Sequence, residues 1–397
     1  MNTILEQARA LAPEIINWYR TLHQIPETGW VLPQTSAFVA EELEKIGIVY
    51  KTYERHSSLI ATIKGGVGSP NATTVALRAD MDALCVTEET GLPYASKNGN
   101  MHACGHDAHT AMLLGAAKLL MLRKEQLKGD VRLIFQAGEE ETGVAVDLIK
   151  KGALENPSVG AVFGQHVGTL AGALPLGTIA IKPNAAMAAK VGFELVVRGK
   201  GCHGAMPTQG IDPIVIASQI VLALQSLVAR ECDATDSAVI SVTSIHGGVN
   251  DNIIPDVVTL TGSMRVTDDA LCQKLMRRMR EVCEGIASSM RGTCDVTAEI
   301  INITLVNDPR EADFAASVAE KLLGKERVRI LDKPCMASED MADYLNERPG
   351  AFWFYSTQGE AVPFGNHSPH FAVEESCLAD GAALLAATAE EWLLKNT

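Results

Sequence analysis

Long uncharged apolar runs are scarce in this sequence, and none is expected to reach the roughly 18 residues that mark a transmembrane helix. The opening stretch, MNTILEQARALAPEIINWYR, has no basic segment leading into an apolar one, so no signal peptide is expected. Basic residues are in deficit: 34 Lys and Arg stand against 48 Asp and Glu, a formal net charge of −14. That balance argues against nucleic acid or an anionic membrane as partner, since both require basic patches. The 9 cysteines are odd in number and form no CxxC pair, so reduced thiols in the cytoplasm are expected rather than a disulfide framework. Also missing are the phosphate-binding pattern GxxxxGK[ST] and the GxSxG nucleophile elbow. No internal repeat or low-complexity tract is apparent.

What remains is ordinary in bulk. The 397 residues, 47% hydrophobic and 21% charged, suffice for two domains with sizeable cores. No single-sign run stands out, and the excess acid reads as solubilising charge.

Helical spacing over 4–23 and 34–46 predicts two opening helices. The runs SLIATIKG, TTVALRAD, VRLIFQAG and AVFGQHV predict strands, with a long helix from Thr110 to Lys124 between them. Strands alternating with helices define the α/β class, here a mixed sheet sandwiched by helices. From residue 187 the style changes. Val191, Phe193, Leu195 and Val197 alternate along one strand face, and a helix follows from Pro213, capped by Asp212. Two strands, a helix from Asp269 to Arg291 and a last strand complete a β-α-β-β-α-β order, that of a ferredoxin-like module. After Ile303 helix, strand and helix return. The expected layout is therefore a discontinuous larger domain, 1–186 and 303–397, with a smaller α+β domain inserted at 187–302.

Five chemically dense residues crowd into HACGHDAHTAM, residues 102–112. Thiolate, imidazole and carboxylate together suit zinc and its neighbours, and Cys104 and His106 sit on a loop ahead of a helix. Taken alone, the cluster is equally a helix-entry turn with satisfied polar groups, or a cysteine nucleophile with His106 or His109 as base. Other ligand types then fall after apolar stretches: Asp80 and Asp82 after VALRA, Glu139–Glu141 after LIFQAG, His166 after AVFGQ, and His367 and His370 near the C-terminus. Ligands of open α/β sheets collect at the carboxyl ends of strands, so these residues could face one crevice. A nucleophile reading leaves the glutamates, His166 and His367 without a purpose.

The segments LHQIPETG, ALRADMDAL, MHACGHDAHTAMLLGAA, LIFQAGEE, GKGCHGAMP, NIIPD, ASEDMADYL and NHSPHF occur in this order along nearly the whole chain. In them the sequence resembles the co-catalytic metallopeptidases related to aminoacylase and glutamate carboxypeptidase. It is most similar to the amidohydrolase branch of hippurate hydrolases and indole-acetyl-amino-acid hydrolases. The resemblance implies metal ligands at Cys104, His106, Glu140, His166 and His367, holding two divalent ions per subunit. Zinc or manganese is expected, with nickel and cobalt admitted by the same donors. It implies Glu139 as general base, and Asp80 and Asp82 as carboxylates that orient ligands. His203 would polarise the scissile carbonyl across a homodimer or higher oligomer, while Asn252 and Arg265 hold the substrate's carbonyl or carboxylate. The inserted domain would be a lid and dimerisation domain. The activity implied is hydrolysis of N-acyl amino acids. Alternatives are a dipeptidase or aminobenzoyl-glutamate hydrolase on the same scaffold and, more distantly, a non-catalytic metal- or ligand-binding protein. Trp30, Trp353, Phe354 and Phe364 are candidates for either an acyl pocket or core packing.

Overall fold

In the strand Thr74–Asp80 all seven side chains are buried. Successive side chains of a strand point to opposite faces, so burial throughout requires cover on both sides of the sheet. Val75, Leu77 and Ala79 enter the main apolar core, against which the helices His106–Leu122 and Leu378–Asn396 are packed. Ala76, Arg78 and Asp80 point the other way, where Arg78 meets Asp340 ahead of the helix Met341–Glu347. The neighbouring strands divide their residues likewise: Val131, Leu133 and Phe135 belong to the main core, and so do Ala161, Phe163 and Val167. Truncating a core leucine such as Leu77 to alanine is expected to cost about 2–5 kcal/mol.

The computed structural model describes residues 2–67, 73–360 and 363–396. Its largest sheet has eight strands, in the order Tyr50–Thr52, Leu59–Ile63, Asp130–Gln136, Thr74–Asp80, Val159–Val167, Gly350–Tyr355, Ile179–Ile181, Val328–Ile330. The four central strands run parallel. Leu59–Ile63 and Ile179–Ile181 flank them antiparallel, which makes the sheet mixed. With ten α-helices among the described residues, the architecture is mixed α/β. Parallel strands place their carboxyl ends along one edge, and that edge carries Asp80, the turn after Gln136, and His166.

The chain divides into two compact units. The first comprises Met1–Ala186, Val306–Pro334 and Glu339–Thr397; the second comprises Met187–Leu305 with Cys335–Ser338. In the second, four strands lie in the order Ala238–His246, Val257–Val266, Ala189–Arg198, Thr293–Asn302, all antiparallel. Val191, Phe193, Leu195 and Val197 are buried beneath the helices Pro213–Glu231 and Asp269–Ser289. Asp212 caps the first of these, Oδ1 accepting the Ile214 N–H at 2.8 Å.

Three expectations need correction. The opening helix is two, Asn2–Ala10 and Ala12–His23, because Pro13 in the first turn of the second cannot donate a backbone N–H to a continuous helix. The helix expected from Thr110 starts at His106, so His106 belongs to its first turn rather than to a loop. The helix Pro213–Glu231 is, by length and composition, apolar enough to cross a membrane, contrary to the scarcity of such runs expected above. One face of it, Ile216, Ile220, Leu224 and Leu227, is buried in the second unit's core, while Ser218, Gln219, Gln225 and Ser226 are exposed.

Candidate metal centre

Gly105 makes the turn between Cys104 and the helix possible. Its φ of +88° lies in the left-handed region, and a Cβ there would stand 2.3 Å from Val167 Cγ2. Cys104 and His106 are thereby brought to the strand edge, both buried. Cys104 Sγ lies 3.4 Å from His166 Nε2. His166 Nδ1 must donate to the Val167 carbonyl at 2.7 Å, since a carbonyl only accepts, and this leaves Nε2 as a lone pair directed at the cluster.

Glu139 and Glu140 enter through a second turn, where Gly138 has φ of +71° and a Cβ would meet Val144 and Trp30 at 2.8 and 2.9 Å. Asp82 fixes this turn: one carboxylate oxygen accepts the Glu139 N–H and the other the Glu140 N–H, each at 3.0 Å. Glu141 is exposed and turned toward Gly29, so it is Glu139 and Glu140 that reach the cluster. His367 lies in an irregular segment well past the strand Gly350–Tyr355, not directly at a strand end. Its backbone N–H donates to Ala103 O at 2.7 Å, its φ is +67°, and Nε2 is 3.4 Å from Glu140 Oε1. Val362, which opens the apolar stretch before it, lies outside the described residues.

One ligand atom each from Cys104, His106 and His166 lies within 4.8 Å of the others. The same holds for Cys104, Glu140 and His367, and for His106, Glu139 and Glu140. His106 is fully buried, yet neither ring nitrogen makes a well-formed hydrogen bond, the facing oxygens being Asp82 Oδ1 at 3.4 Å and Asp80 Oδ2 at 3.8 Å; Glu140 Oε1 likewise makes none, with His367 Nε2 at 3.4 Å. Buried polar atoms are rarely left so, and lone pairs converging from thiol, imidazole and carboxylate suit divalent ions. The donor set therefore fits a metal centre. His109 is also near, but both its nitrogens are committed. Nε2 accepts the Val167 N–H at 2.8 Å, so Nδ1 carries the proton and donates it to Asp80 Oδ1 at 2.6 Å.

Charge around the cluster is strongly structured. Burial pushes the Glu139 carboxyl well above the usual carboxylate range, and Glu339, Asp340 and Glu140 add to the push. Burial also resists charge on Asp80, but His106, Arg78 and His109 outweigh it and hold its carboxyl well below that range. The Cys104 thiol is pushed up to about 12 by burial, against the pull of His106, the reverse of what an activated nucleophile needs.

Sequence reasoning missed the support beneath the cluster. Arg78 donates to Asp80 at 2.7 Å and to Asp340 at 2.7 Å, and lies 3.1 Å from Glu339; Gln136 donates to Asp340 at 2.6 Å. Glu339, Asp340 and Glu139 themselves form a buried acidic group. An arginine inside an otherwise apolar strand was the available signal, because a buried charge needs partners.

The aromatic candidates part company: Trp353 and Phe354 are core residues, whereas Phe364 is 46% exposed. His203, Asn252 and Arg265 belong to the second unit. There the pairing of His203 with Ile253 sets Asn252 beside it, its carbonyl accepting the Gly204 N–H at 2.8 Å; both residues are exposed. Arg265 donates to Ser338 Oγ at 2.8 Å.

A buried thiol–imidazole–carboxylate cluster at the carboxyl edge of a mixed α/β sheet is the frame of a metallohydrolase. The profile of Peptidase family M20/M25/M40 matches residues 76–391, and the chain belongs to that family and with it to the metal-dependent amidohydrolases. It is 40% identical over 385 residues to the IAA-amino acid hydrolase ILR1-like 4 of Arabidopsis thaliana, covering 95% of this chain and 85% of that one. To the N-acetyl-L-cysteine deacetylase of Bacillus subtilis it is 36% identical over 388 residues, covering 97% and 90%. Among solved structures it resembles the Bacillus subtilis YXEP protein, a dinuclear metal-binding peptidase of the M20 family. That match has a TM-score of 0.83 and 32% identity over 97% of this chain and 99% of that one.

Proposed function

We propose that the protein hydrolyses the amide bond of N-acyl amino acids, of the N-acetyl, hippurate-like or aromatic-acyl kind. The observation that carries the reading is the set of buried atoms that make no hydrogen bond, both His106 nitrogens and Glu140 Oε1, gathered with Cys104, His166 and His367. Relatives named for acyl amino acid substrates support it. Cys104, His106, Glu140, His166 and His367 would hold two divalent ions, zinc or manganese, with nickel or cobalt also accommodated. When bound, such ions supply positive charge that acidifies water and polarises a carbonyl.

The chain's own residues do the rest. Glu139 takes the proton of the attacking water and delivers it to the leaving amine. Its raised affinity for a proton suits a group that carries one between the two events. Asp82 holds the Glu139–Glu140 turn and Asp80 orients the imidazoles around it. The inserted domain, 187–302, acts as a ferredoxin-like lid and as the surface of a homodimer or higher oligomer. From it His203 polarises the scissile carbonyl of the partner's substrate, with Asn252 and Arg265 on the substrate's carbonyl or carboxylate, to which the guanidinium fork is matched. A cytoplasmic enzyme acting on small molecules, with neither nucleic acid nor membrane as partner, completes the reading.

The test is a substrate panel. N-acetyl, N-benzoyl and indole-acetyl amino acids are offered beside dipeptides, with metal present. Cleavage led by one acyl class supports the proposal; cleavage of dipeptides alone replaces it with a peptidase.

A further inference from the structure

The chain carries a net charge of −14, yet one groove of the first unit has charge of the opposite sign. It encloses about 670 Å³ beside the edge strand Tyr50–Thr52 and shares no lining residue with the metal-ligand cluster. Its charged lining is Lys51, Lys64, Lys124, Arg132 and Lys151 against Glu155, and Glu155 is engaged by Arg348. Lys64 and Lys151 have carboxylate partners in Asp130 at 2.5 Å and Asp147 at 2.7 Å. Among the described residues Lys124 has only a Glu125 oxygen at 3.9 Å, and Lys51 lies 5.0 Å from the centre of the Tyr53 ring.

The wall formed by Arg132 is the decisive feature. Arg132 is 4% exposed. Its guanidinium donates to Thr62 Oγ1 at 2.8 Å and to the carbonyls of Ala153 and Glu155 at 2.5 and 3.4 Å, all neutral acceptors. Among the described residues no carboxylate is paired with it. A buried guanidinium ordinarily has an anionic partner, whereas this one spends Nε, both Nη1 protons and one on Nη2 on neutral oxygens and keeps a single Nη2 proton. The groove is also lined by the Tyr53 ring, which stacks on His56 with ring centres 4.9 Å apart and has Lys151 5.4 Å from its centre. Ile48 and Met121 give the same groove apolar lining.

We propose that this groove binds a small organic phosphate, its phosphoryl oxygens held by Arg132, Lys51, Lys124 and Lys151 and its body laid against Tyr53. A tetrahedral dianion presents oxygens in several directions and so matches cations that converge from several sides; a planar carboxylate matches one fork. The volume suits a ligand of metabolite size. Nothing in this inference depends on the catalytic reading.

Phenyl phosphate, titrated calorimetrically into the full chain, is the probe. One site per chain is expected, with affinity falling at least about tenfold in Lys51→Ala/Lys151→Ala and in Arg132→Gln, and unchanged in Glu140→Gln. Both lysines are exposed and outside the core, so the double variant carries the test if Arg132→Gln does not fold. Benzoate is expected to bind at least about tenfold more weakly, and phenol not at all. Unchanged affinity in the lysine variant, loss in Glu140→Gln, benzoate binding as tightly, or no binding at millimolar phenyl phosphate would each overturn the assignment.

Discussion

Asp82 Oδ1 accepts the backbone N–H of Glu139 at 3.0 Å, and the other oxygen of the same carboxylate accepts the N–H of Glu140 at the same distance. One buried side chain thus fixes the backbone that carries both glutamates. Asp82→Ala frees that turn without removing either functional carboxylate. Turnover is expected to fall about 10–100-fold with secondary structure intact. Steady-state kinetics beside circular dichroism would show it; unchanged kinetics would mean the turn holds itself.

Glu139 and Glu140 are adjacent but separable. Glu139→Gln should keep metal bound while lowering turnover by about 10²–10⁴-fold, the range for loss of a general base. Metal content by elemental analysis and kcat distinguish the two effects. Equal loss of both would remove Glu139 from the role of base.

Arg78 supports the cluster from below and faces Asp80, Glu339 and Asp340, all buried. Arg78→Met leaves three buried carboxylates without their cation. A destabilisation of about 3–5 kcal/mol is expected, by analogy with breaking buried pairs, read as a shift of the denaturation midpoint.

His23 provides a pH-dependent contribution. Burial resists its charge, but hydrogen bonds to Asp107 at 2.6 Å and Glu88 at 3.1 Å outweigh burial and raise its pKa from 6.5 to about 10. A raised folded-state pKa stabilises fully below the unfolded value, and the contribution is lost as pH rises toward the folded one. The stability difference between wild type and His23→Gln should therefore be largest at pH 6, of the order of a few kcal/mol, and shrink steadily toward pH 10. Urea denaturation across that range checks it; a difference that grew with pH would have the wrong sign.

Much of this was legible in the sequence, for identifiable reasons. The parallel strands are short apolar runs that end in carboxylate or imidazole, so VALRAD, LIFQAGEE and AVFGQH announced both strand and site. Cys104 and His106 could be suspected from density alone, but their choice over His109 could not. His109 is taken out of the cluster by Asp80 and the Val167 N–H, partners set by tertiary structure. The pairing of Arg78 with Asp340 spans 262 positions, and no local pattern encodes it. The break at Leu11 was readable from Pro13 and was overridden by the apolar period on either side.

The central claim is that Cys104, His106, Glu140, His166 and His367 form a metal centre served by Glu139. The most direct measurement strips the protein with a chelator and then titrates Mn²⁺ or Zn²⁺ while following cleavage of N-acetyl and N-benzoyl amino acids. The account predicts silence after chelation and activity that returns and saturates at two ions per chain, with no return in Glu139→Gln. Hydrolysis that survives chelation but is abolished by thiol alkylation would contradict it.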